Sequence, residues 1–248
     1  MRTFDFLQQL FPRRYARTFA RLSGSSAVEG LKGQIAGLAE RRKLGSGHPL
    51  DELIKEAWRV GQAIDLSGVG YGPPHWRSEE RLSNKTFSYY FFLSGLVQTQ
   101  HCQRILEIGT HYGGSAQAML RGGAKQIVTI DVTDLNSSLH QIDGITKLTG
   151  DANSEAMISK VLVAFSAEPV DLIYIDAAHE FFPTIQSLGV YATLLRPRFV
   201  VMDDIILNES MRVMWNVVCT VYGPKAINCV EVVPEIRNAG CGFGLLRQ

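Results

Sequence analysis

The sequence predicts an α/β fold with a doubly wound, mostly parallel sheet of seven strands. From residue 104 onward, short apolar runs alternate with segments of helical period, which is typical of strands and helices that form a parallel sheet covered on both faces. Acidic residues or glycines follow several of the apolar runs, as they do at the ligand-binding edge of an open α/β sheet. With 248 residues, the chain is long enough for one such domain and an N-terminal extension.

The composition indicates a folded protein without a strong charge bias. Apolar residues make up 46% of the chain and charged residues 20%, so most of it is expected to fold. A net charge of +1 gives no general reason to expect nucleic acid as a partner. The four cysteines lack C-x-x-C or metal-like spacing, which predicts reduced core thiols in a cytoplasmic protein. No run of about 18 apolar residues is present, so no membrane span is expected.

Residues 1–82 are expected to form a helical extension. Residues 1–45 hold nine Lys and Arg against three Asp and Glu, and apolar side chains recur at helical spacing from Phe4 to Leu22. Pro12 argues against one straight helix. A basic amphipathic helix can lie on an anionic membrane, but a contact with a partner subunit or with the chain's own domain is favoured. We therefore expect a homo-oligomer. The loop Gly68–Trp76 is either a lid over a substrate or a linker.

The predicted helices and strands follow one another in a regular order. Two helices precede the sheet, from about Leu50 to Ala63 and from Glu79 to Val97, and the aromatic residues of the second are assigned to the core. The predicted strands are Arg104–Ile108, Gln126–Ile130, Ile145–Leu148, Asp171–Ile175, Phe199–Met202, Ile227–Val233 and Phe243–Leu246. The helices between them begin near Ser115, cover roughly Glu155–Phe165, extend from about Pro183 to Leu195, and cover Glu209–Tyr222.

The segment RILEIGTHYGGSAQAML, residues 104–120, joins the first strand to a helix through a glycine-rich turn. Such a turn brings backbone N–H groups and a helix N-terminus to one point, which suits a polar or anionic ligand. Gly109 allows a sharp bend, and Gly113 and Gly114 allow a ligand to approach the backbone closely. The glycine spacing differs from G-x-G-x-x-G, which argues against a dinucleotide pyrophosphate. Glu107, an acid in an apolar strand, is better explained by a ligand ammonium or hydroxyl group than by core packing.

Two acids follow the second and third strands. Asp131 lies where a carboxylate can accept hydrogen bonds from ribose hydroxyls, a role shared by many nucleotide-binding α/β folds. Asp151, in the segment TGDANS, either caps the next helix or contacts an adenine amino group.

Three further carboxylates follow the fourth and fifth strands, which we expect to be neighbours about 4.8 Å apart. Asp176 would then lie close to Asp203 and Asp204, and the three charges would repel one another and raise their pKa values. A divalent cation removes this repulsion, and oxygen ligands favour a hard ion such as Mg²⁺. Alternatively, Asp203 or Asp204 caps the next helix while Asp176 lies in a solvated loop. The presence of all three acids at adjacent strand ends favours a metal site.

The segment LEIGTHYGGSA resembles motif I, E/D-x-G-x-x-x-G, of the class I S-adenosylmethionine-dependent methyltransferases. The resemblance implies a Rossmann-like sheet over residues 83–248 whose last strand is antiparallel, with residues 1–82 as an extension. It also implies S-adenosyl-L-methionine as the cofactor, with the acid and the glycine turn at its methionine end. The residues expected to bind the cofactor are Glu107, Gly109, Tyr112, Gly113, Ser115, Asp131, Asp151 and Asp176.

The pattern D-x-x-H after strand four and the acidic pair after strand five narrow the resemblance. They are similar to the metal-dependent O-methyltransferases that act on macrolide sugars and to the related cephalosporin-hydroxylase-like group. This implies Mg²⁺ ligation by Asp176, Asp203 and Asp204, with His179 as the general base. The acceptor implied is a hydroxyl group of a sugar, saccharide or glycosylated small molecule. Catechol-type enzymes have Asp-Asn in place of the acidic pair, so the resemblance points away from them.

Two other functions compete with methyl transfer. Asp131 would serve a nicotinamide dinucleotide equally well, so an NAD-dependent oxidoreductase is one alternative. The glycine spacing argues against it, as does an acidic cluster that hydride transfer does not require. A non-catalytic binding protein is the other alternative. It has no need of Glu107, His179 and the three clustered acids together.

Overall fold

The computed structural model describes residues 47–69, 88–236 and 241–248. Pro49–Gln248 forms the compact unit that carries the sheet. The basic segment 1–45, most of the Gly68–Trp76 loop and the expected domain boundary after residue 82 lie outside the described residues. Over the ranges described, no helix combines the length and apolar character needed to cross a membrane.

A seven-stranded sheet with the order β3-β2-β1-β4-β5-β7-β6 forms the centre of this unit. The strands are β1 (Arg104–Ile108), β2 (Gln126–Asp131), β3 (Ile145–Thr149), β4 (Leu172–Ile175), β5 (Phe199–Asp203), β6 (Ala226–Asn228) and β7 (Phe243–Arg247). Strands β1 to β5 pair in parallel, and β7 is antiparallel to both of its neighbours. The predicted fold class is confirmed, including the antiparallel last strand that the resemblance implied.

Helices separate the parallel strands, as the sequence predicts. They are α1 (Asp51–Gly61), α2 (Tyr89–Thr99), α3 (Gly114–Arg121), α4 (Glu155–Ala164), α5 (Phe181–Leu195), α6 (Glu209–Tyr222) and the single turn α7 (Cys229–Val232). A 3₁₀ helix, Ser137–Gln141, precedes β3, and a second one, Gly223–Lys225, precedes β6. These connections place the carboxyl ends of the parallel strands at one edge of the sheet.

The segment predicted as the sixth strand is divided in two. We expected one strand over Ile227–Val233, but β6 ends at Asn228 and α7 follows. The Asn228 side-chain oxygen accepts the N–H of Val230 at 3.2 Å and that of Phe243 at 3.3 Å. This local cap ends the strand and begins a helical turn, although the β-branched residues that follow favour a strand.

Helices α1 and α2 lie unusually close together because each has a glycine at the contact. A Cβ atom added to Gly61 would lie 1.7 Å from the carbonyl oxygen of Phe91, and one added to Gly95 would lie 1.8 Å from that of Ala57. No larger residue fits at either position without moving a helix backbone. The close contact joins α1 to the core that α2 forms against the sheet.

The aromatic residues of α2 lie in the core, as predicted. Tyr90 and Leu96 are buried and Phe91 is half-buried, while Phe87 lies outside the described residues. Phe92 contacts the ring of Phe243 on β7 edge to face, with a centroid distance of 5.7 Å. This packing fixes α2 against the sheet near the end of β5.

Candidate active site

A cavity of about 500 Å³ opens at the carboxyl edge of the sheet. This volume lies within the range of small-molecule sites. Its walls come from the loops that follow β1 to β5 and from the start of α2. The polar and aromatic residues that line it include Tyr89, Tyr90, His111, Tyr112, Ser115, Asp131, Asp151, Asn153, Asp176, His179, Asp203 and Asp204. The cavity therefore contains most of the predicted site residues.

The two glycines predicted to bind the cofactor are required for different reasons. Gly109 has φ +104° and lines the cavity, and a Cβ atom there would lie 1.9 Å from the backbone oxygen of Asp176. Gly113 has φ +82°, and its Cβ atom would lie 2.4 Å from the Leu139 side chain. Gly113 is absent from the cavity wall. Its need for glycine thus comes from packing against the 3₁₀ helix, whereas Gly109 lets the ends of β1 and β4 approach each other.

Glu107 is fully buried beneath the cavity wall. One oxygen of its carboxyl group accepts a hydrogen bond from the hydroxyl of Ser115, and the other oxygen accepts one from the hydroxyl of Thr129 at 2.5 Å. The sequence suggests a ligand ammonium or hydroxyl group as its partner, and the partners in the structure are two hydroxyl groups of the chain itself. Burial raises the pKa of Glu107 to about 8, although both hydrogen bonds oppose the shift. Ser115, one of these partners, lines the cavity.

Asp131 lies at the end of β2, where it closes one side of the cavity. One of its oxygens accepts the backbone N–H of His111 at 2.7 Å, and the other accepts that of Thr133 at 3.1 Å. These bonds tie the loop after β1 to the loop after β2. Each carboxylate oxygen can accept a second hydrogen bond, so Asp131 is suited to receive hydroxyl groups of a ligand.

Asp151 lines the cavity beyond β3. The structure tests one of its two proposed roles, the capping of the helix that follows. Helix α4 is capped by Ser154, whose hydroxyl oxygen accepts the N–H of Met157 at 3.2 Å. Asp151 instead accepts the N–H of Asn153 at 2.9 Å in a local turn. The helix-cap interpretation is therefore wrong. The proposed contact with an adenine amino group stays a prediction.

Asp176, His179 and Asp204 form a compact group on the other side of the cavity. Each offers a ligand atom within 4.8 Å of the others. The His179 Nδ1 atom lies 3.3 Å from an Asp204 oxygen, and its Nε2 atom lies 4.0 Å from an Asp176 oxygen. Two carboxylates and one imidazole form a donor set that suits a divalent cation.

Four of the eight non-glycine residues with positive φ in the described part of the chain line the same cavity. Residues with positive φ that are not glycine and line it are His111 (47°), Ala178 (64°), His179 (40°) and Asp204 (55°). Such conformations cost free energy and are frequent at functional sites. In His179 and Asp204, they occur in two members of the compact group.

Neither Asp203, the last residue of β5, nor Asp204 caps α6, although such a cap was the alternative to a metal site. Asn208 caps that helix by accepting the N–H of Met211 at 2.9 Å. Asp203 is 3% exposed and accepts the backbone N–H of Asp204 at 2.8 Å. Asp203 lines the cavity. Within the described part of the chain, it is not a member of the group formed by Asp176, His179 and Asp204, which we call the ligand-like group. Its role as a third metal ligand stays a prediction.

Burial and mutual repulsion act on the carboxylates of this cluster. Burial raises the pKa of Asp176 to about 6, and the neighbouring Asp204 adds to this while His179 opposes it. The pKa of Asp203 is raised well above its ordinary value, first by burial and then by the charges of Asp176 and Asp204. A bound cation would favour the ionised forms of Asp176 and Asp203.

Sequence reasoning missed two features of the cavity. Tyr174, two residues before Asp176 on β4, places its hydroxyl between Asp176 and Asp203. The i, i+2 spacing was the available signal, since such residues share one face of a strand. Tyr89 and Tyr90 line the cavity as well as the core, so the core assignment of the α2 aromatics was incomplete.

No known protein-family model matches this chain. A comparison with curated proteins likewise gives no match. The chain is similar in structure to an O-methyltransferase from Bacillus cereus in complex with SAH, with 20% identity over 86% of this chain and 96% of that one and a TM-score of 0.46. It is also similar in structure to the O-methyltransferase TomG from Streptomyces achromogenes in complex with SAM. There the identity is 19% over 87% of this chain and 96% of that one, and the TM-score is 0.48.

A third similarity is to the MycE methyltransferase of the mycinamycin biosynthetic pathway in complex with Mg, SAH and mycinamycin VI. There the identity is 19%, the coverage is 60% of this chain and 37% of that one, and the TM-score is 0.37. The fold assignment itself rests on the strand order. The antiparallel β7 between β5 and β6 differs from the 3-2-1-4-5-6 order of the dinucleotide-binding fold. The described strands thus form a seven-stranded mixed α/β sheet with an antiparallel β7, the arrangement that the sequence resemblance implied.

Proposed function

We propose that this protein is an S-adenosylmethionine-dependent O-methyltransferase that uses a divalent cation and methylates a hydroxyl group of a sugar, saccharide or glycosylated small molecule. One observation carries the proposal. A single cavity joins the glycine turn and Asp131 to the group of Asp176, His179 and Asp204 along one edge of the sheet. A site for a nucleoside-like cofactor and a site that activates a hydroxyl group thereby share one space.

The cofactor would occupy the part of the cavity next to β1, β2 and β3. Asp131 would accept hydrogen bonds from the ribose hydroxyls, and Asp151 would accept one from the adenine amino group. Tyr112, in the turn after β1, and Ser115, at the start of α3, would face the methionine part. Glu107 would support Ser115 from beneath through the hydrogen bond between them. The cavity volume of about 500 Å³ is compatible with such a ligand.

Asp176 and Asp204 are the proposed core of the cation site, and Asp203 is the third predicted ligand. The proposed ion is Mg²⁺, because carboxylate oxygens suit a hard cation. When bound, a divalent cation lowers the pKa of a coordinated hydroxyl group.

His179 is proposed to take the proton of the acceptor hydroxyl group. Its Nδ1 atom lies 3.3 Å from Asp204, so a proton on Nδ1 would be held by that carboxylate. The Nε2 atom would then carry the free lone pair and could act as a base. When bound, S-adenosylmethionine would supply the methyl group, and the cavity walls would hold the deprotonated oxygen in line with it.

A methyl-transfer assay over sugars, glycosides and phenols, with and without chelator, tests the proposal. His179→Ala is expected to lower kcat by roughly 10²- to 10⁴-fold and to leave S-adenosylhomocysteine binding intact. His140→Ala is the matched control, because His140 is an exposed histidine on the 3₁₀ helix after β2.

The possible outcomes of this assay separate the parts of the proposal. Activity that chelator leaves unchanged would remove the cation from the mechanism. A near-normal rate for His179→Ala would assign the proton to a carboxylate, with Asp176 as the next candidate. Turnover of phenols without turnover of glycosides would refute the sugar acceptor and leave methyl transfer standing.

A further inference from the structure

Tyr174 places its hydroxyl group between Asp176, a member of the proposed cation site, and the neighbouring Asp203. The residue is fully buried, and its hydroxyl lies 3.0 Å from an Asp176 oxygen and 3.2 Å from an Asp203 oxygen. Asp176 directly follows β4, two residues after Tyr174, so their side chains lie on the same face of the sheet, and the pairing of Ile175 with Met202 brings Asp203 beside Asp176. The contact therefore follows from the register of the sheet.

Packing alone does not require this hydroxyl group. The Tyr174 ring lies in the apolar core together with Leu172, Val201 and Phe243, and its centroid is 6.0 Å from that of Phe243. A phenylalanine ring would fill the same space. A buried hydroxyl group costs free energy unless it is hydrogen bonded, and the two carboxyl groups are the acceptors within reach.

The hydroxyl contact leaves the two oxygens of Asp176 with different surroundings. One oxygen accepts from Tyr174, and the other lies 4.0 Å from His179 Nε2, toward the ligand-like group. Asp203 has a similar division, because one oxygen contacts Tyr174 and the other accepts the backbone N–H of Asp204. Tyr174 and Asp203 thereby connect to the carboxylate of Asp176 and to the backbone N–H of Asp204.

We propose that Tyr174 is a positioning residue which, together with Asp203, holds Asp176 and Asp204 in the geometry that binds the cation. Asp203 then acts through Tyr174 and the Asp204 backbone and is not itself a ligand. The inference rests on the proposed function, since it requires a cation at Asp176 and Asp204. It differs from the predicted set of three carboxylate ligands in the role that it gives to Asp203.

Tyr174→Phe tests the inference, with Mn²⁺ as a paramagnetic probe of the cation site and S-adenosylhomocysteine as a probe of the cofactor site. Both affinities are measured on the full chain without turnover. The variant is expected to bind Mn²⁺ about 10- to 100-fold more weakly, as for other groups that orient metal ligands. Its affinity for S-adenosylhomocysteine is expected to match that of the wild type. Tyr222→Phe is the matched control, because Tyr222 ends α6 and contacts Gln248 at the opposite edge of the sheet.

An unchanged Mn²⁺ affinity in Tyr174→Phe, with clear binding by the wild type, would overturn the inference and leave the proposed function standing. An equal loss of both affinities together with a lower Tm would also overturn it, because it would show a purely structural role. A wild type that binds no Mn²⁺ would refute the cation in the proposed function and the inference with it.

A second variant examines Asp203 separately. Asp203→Asn retains an oxygen that can accept the Asp204 N–H. It is expected to lower Mn²⁺ affinity less than Asp204→Asn does, because Asp204 is a member of the ligand-like group. An equal or larger loss for Asp203→Asn would return Asp203 to the ligand set and overturn its positioning role.

Discussion

Glu107→Gln is expected to change how the stability of this protein depends on pH. Burial raises the folded-state pKa of Glu107 from its ordinary value of 4.5 to about 8. In the unfolded chain, the group ionises near its ordinary value. Between these two pKa values, the folded state binds the proton and the unfolded state does not, so the free energy of unfolding falls as the pH rises. Glutamine does not titrate and removes this contribution.

The size of the effect follows from the shift. A difference of about 3.5 pKa units corresponds to a total of ~5 kcal/mol, of which ~2 kcal/mol is lost between pH 6 and 8. Above pH 8, the loss levels off because Glu107 is ionised in both states. The free energy of unfolding of the wild type should therefore fall by ~2 kcal/mol relative to that of Glu107→Gln across this interval.

Urea unfolding at pH 6, 7, 8 and 9, without ligands, measures this difference. Other titrating groups are common to both proteins, so their effects largely cancel in the comparison. Glu155→Gln is the matched control, because Glu155 is exposed in the first turn of α4. Parallel pH profiles for the wild type and Glu107→Gln would refute the reasoning. They would show that the hydroxyl groups of Ser115 and Thr129 suffice to keep Glu107 ionised.

Three further predictions concern the contact between α1 and α2, the glycine turn after β1 and the N-terminal segment. Gly61→Ala should destabilise the protein by roughly 1–3 kcal/mol or more in urea unfolding, because its Cβ atom would lie 1.7 Å from the Phe91 carbonyl oxygen; stability equal to wild type would show that the helices can separate at no cost. Gly109→Val should abolish S-adenosylhomocysteine binding in calorimetry, because a side chain there collides with the Asp176 backbone; undiminished affinity would refute the cofactor placement. Deleting residues 1–45 should change the oligomeric state measured by light scattering, whereas tight flotation of the full chain with anionic liposomes would favour a membrane contact.

The secondary structure could be predicted closely where local signals agree. The bounds predicted for β1 and for α6 match those of the structure, because apolar periodicity and flanking turn residues define both elements. Prediction was wrong for Ile227–Val233, where the Asn228 side chain forms a cap that hydrophobic periodicity does not reveal. Residues 1–46, 70–87 and 237–240 lie outside the described part of the chain, so what the sequence predicts there stays a prediction.

The sequence by itself determined which residues reach the ligand-binding edge. Asp131, Asp151, Asp176 and His179 follow predicted parallel strands, and parallel strands end at the same edge of a sheet whatever their detailed geometry. Their convergence in one cavity therefore needed only the correct order of strands and helices.

Tertiary structure alone decided what each polar group contacts at that edge. The register of β4 against β5 places the Tyr174 hydroxyl between Asp176 and Asp203. The Leu139 side chain leaves no room for a larger residue at position 113. The hydroxyl groups of Ser115 on α3 and Thr129 on β2 hydrogen bond to the buried Glu107 on β1. These contacts join residues far apart in the chain over distances of about 3 Å, which strand register and loop backbone conformation set and local sequence patterns do not encode.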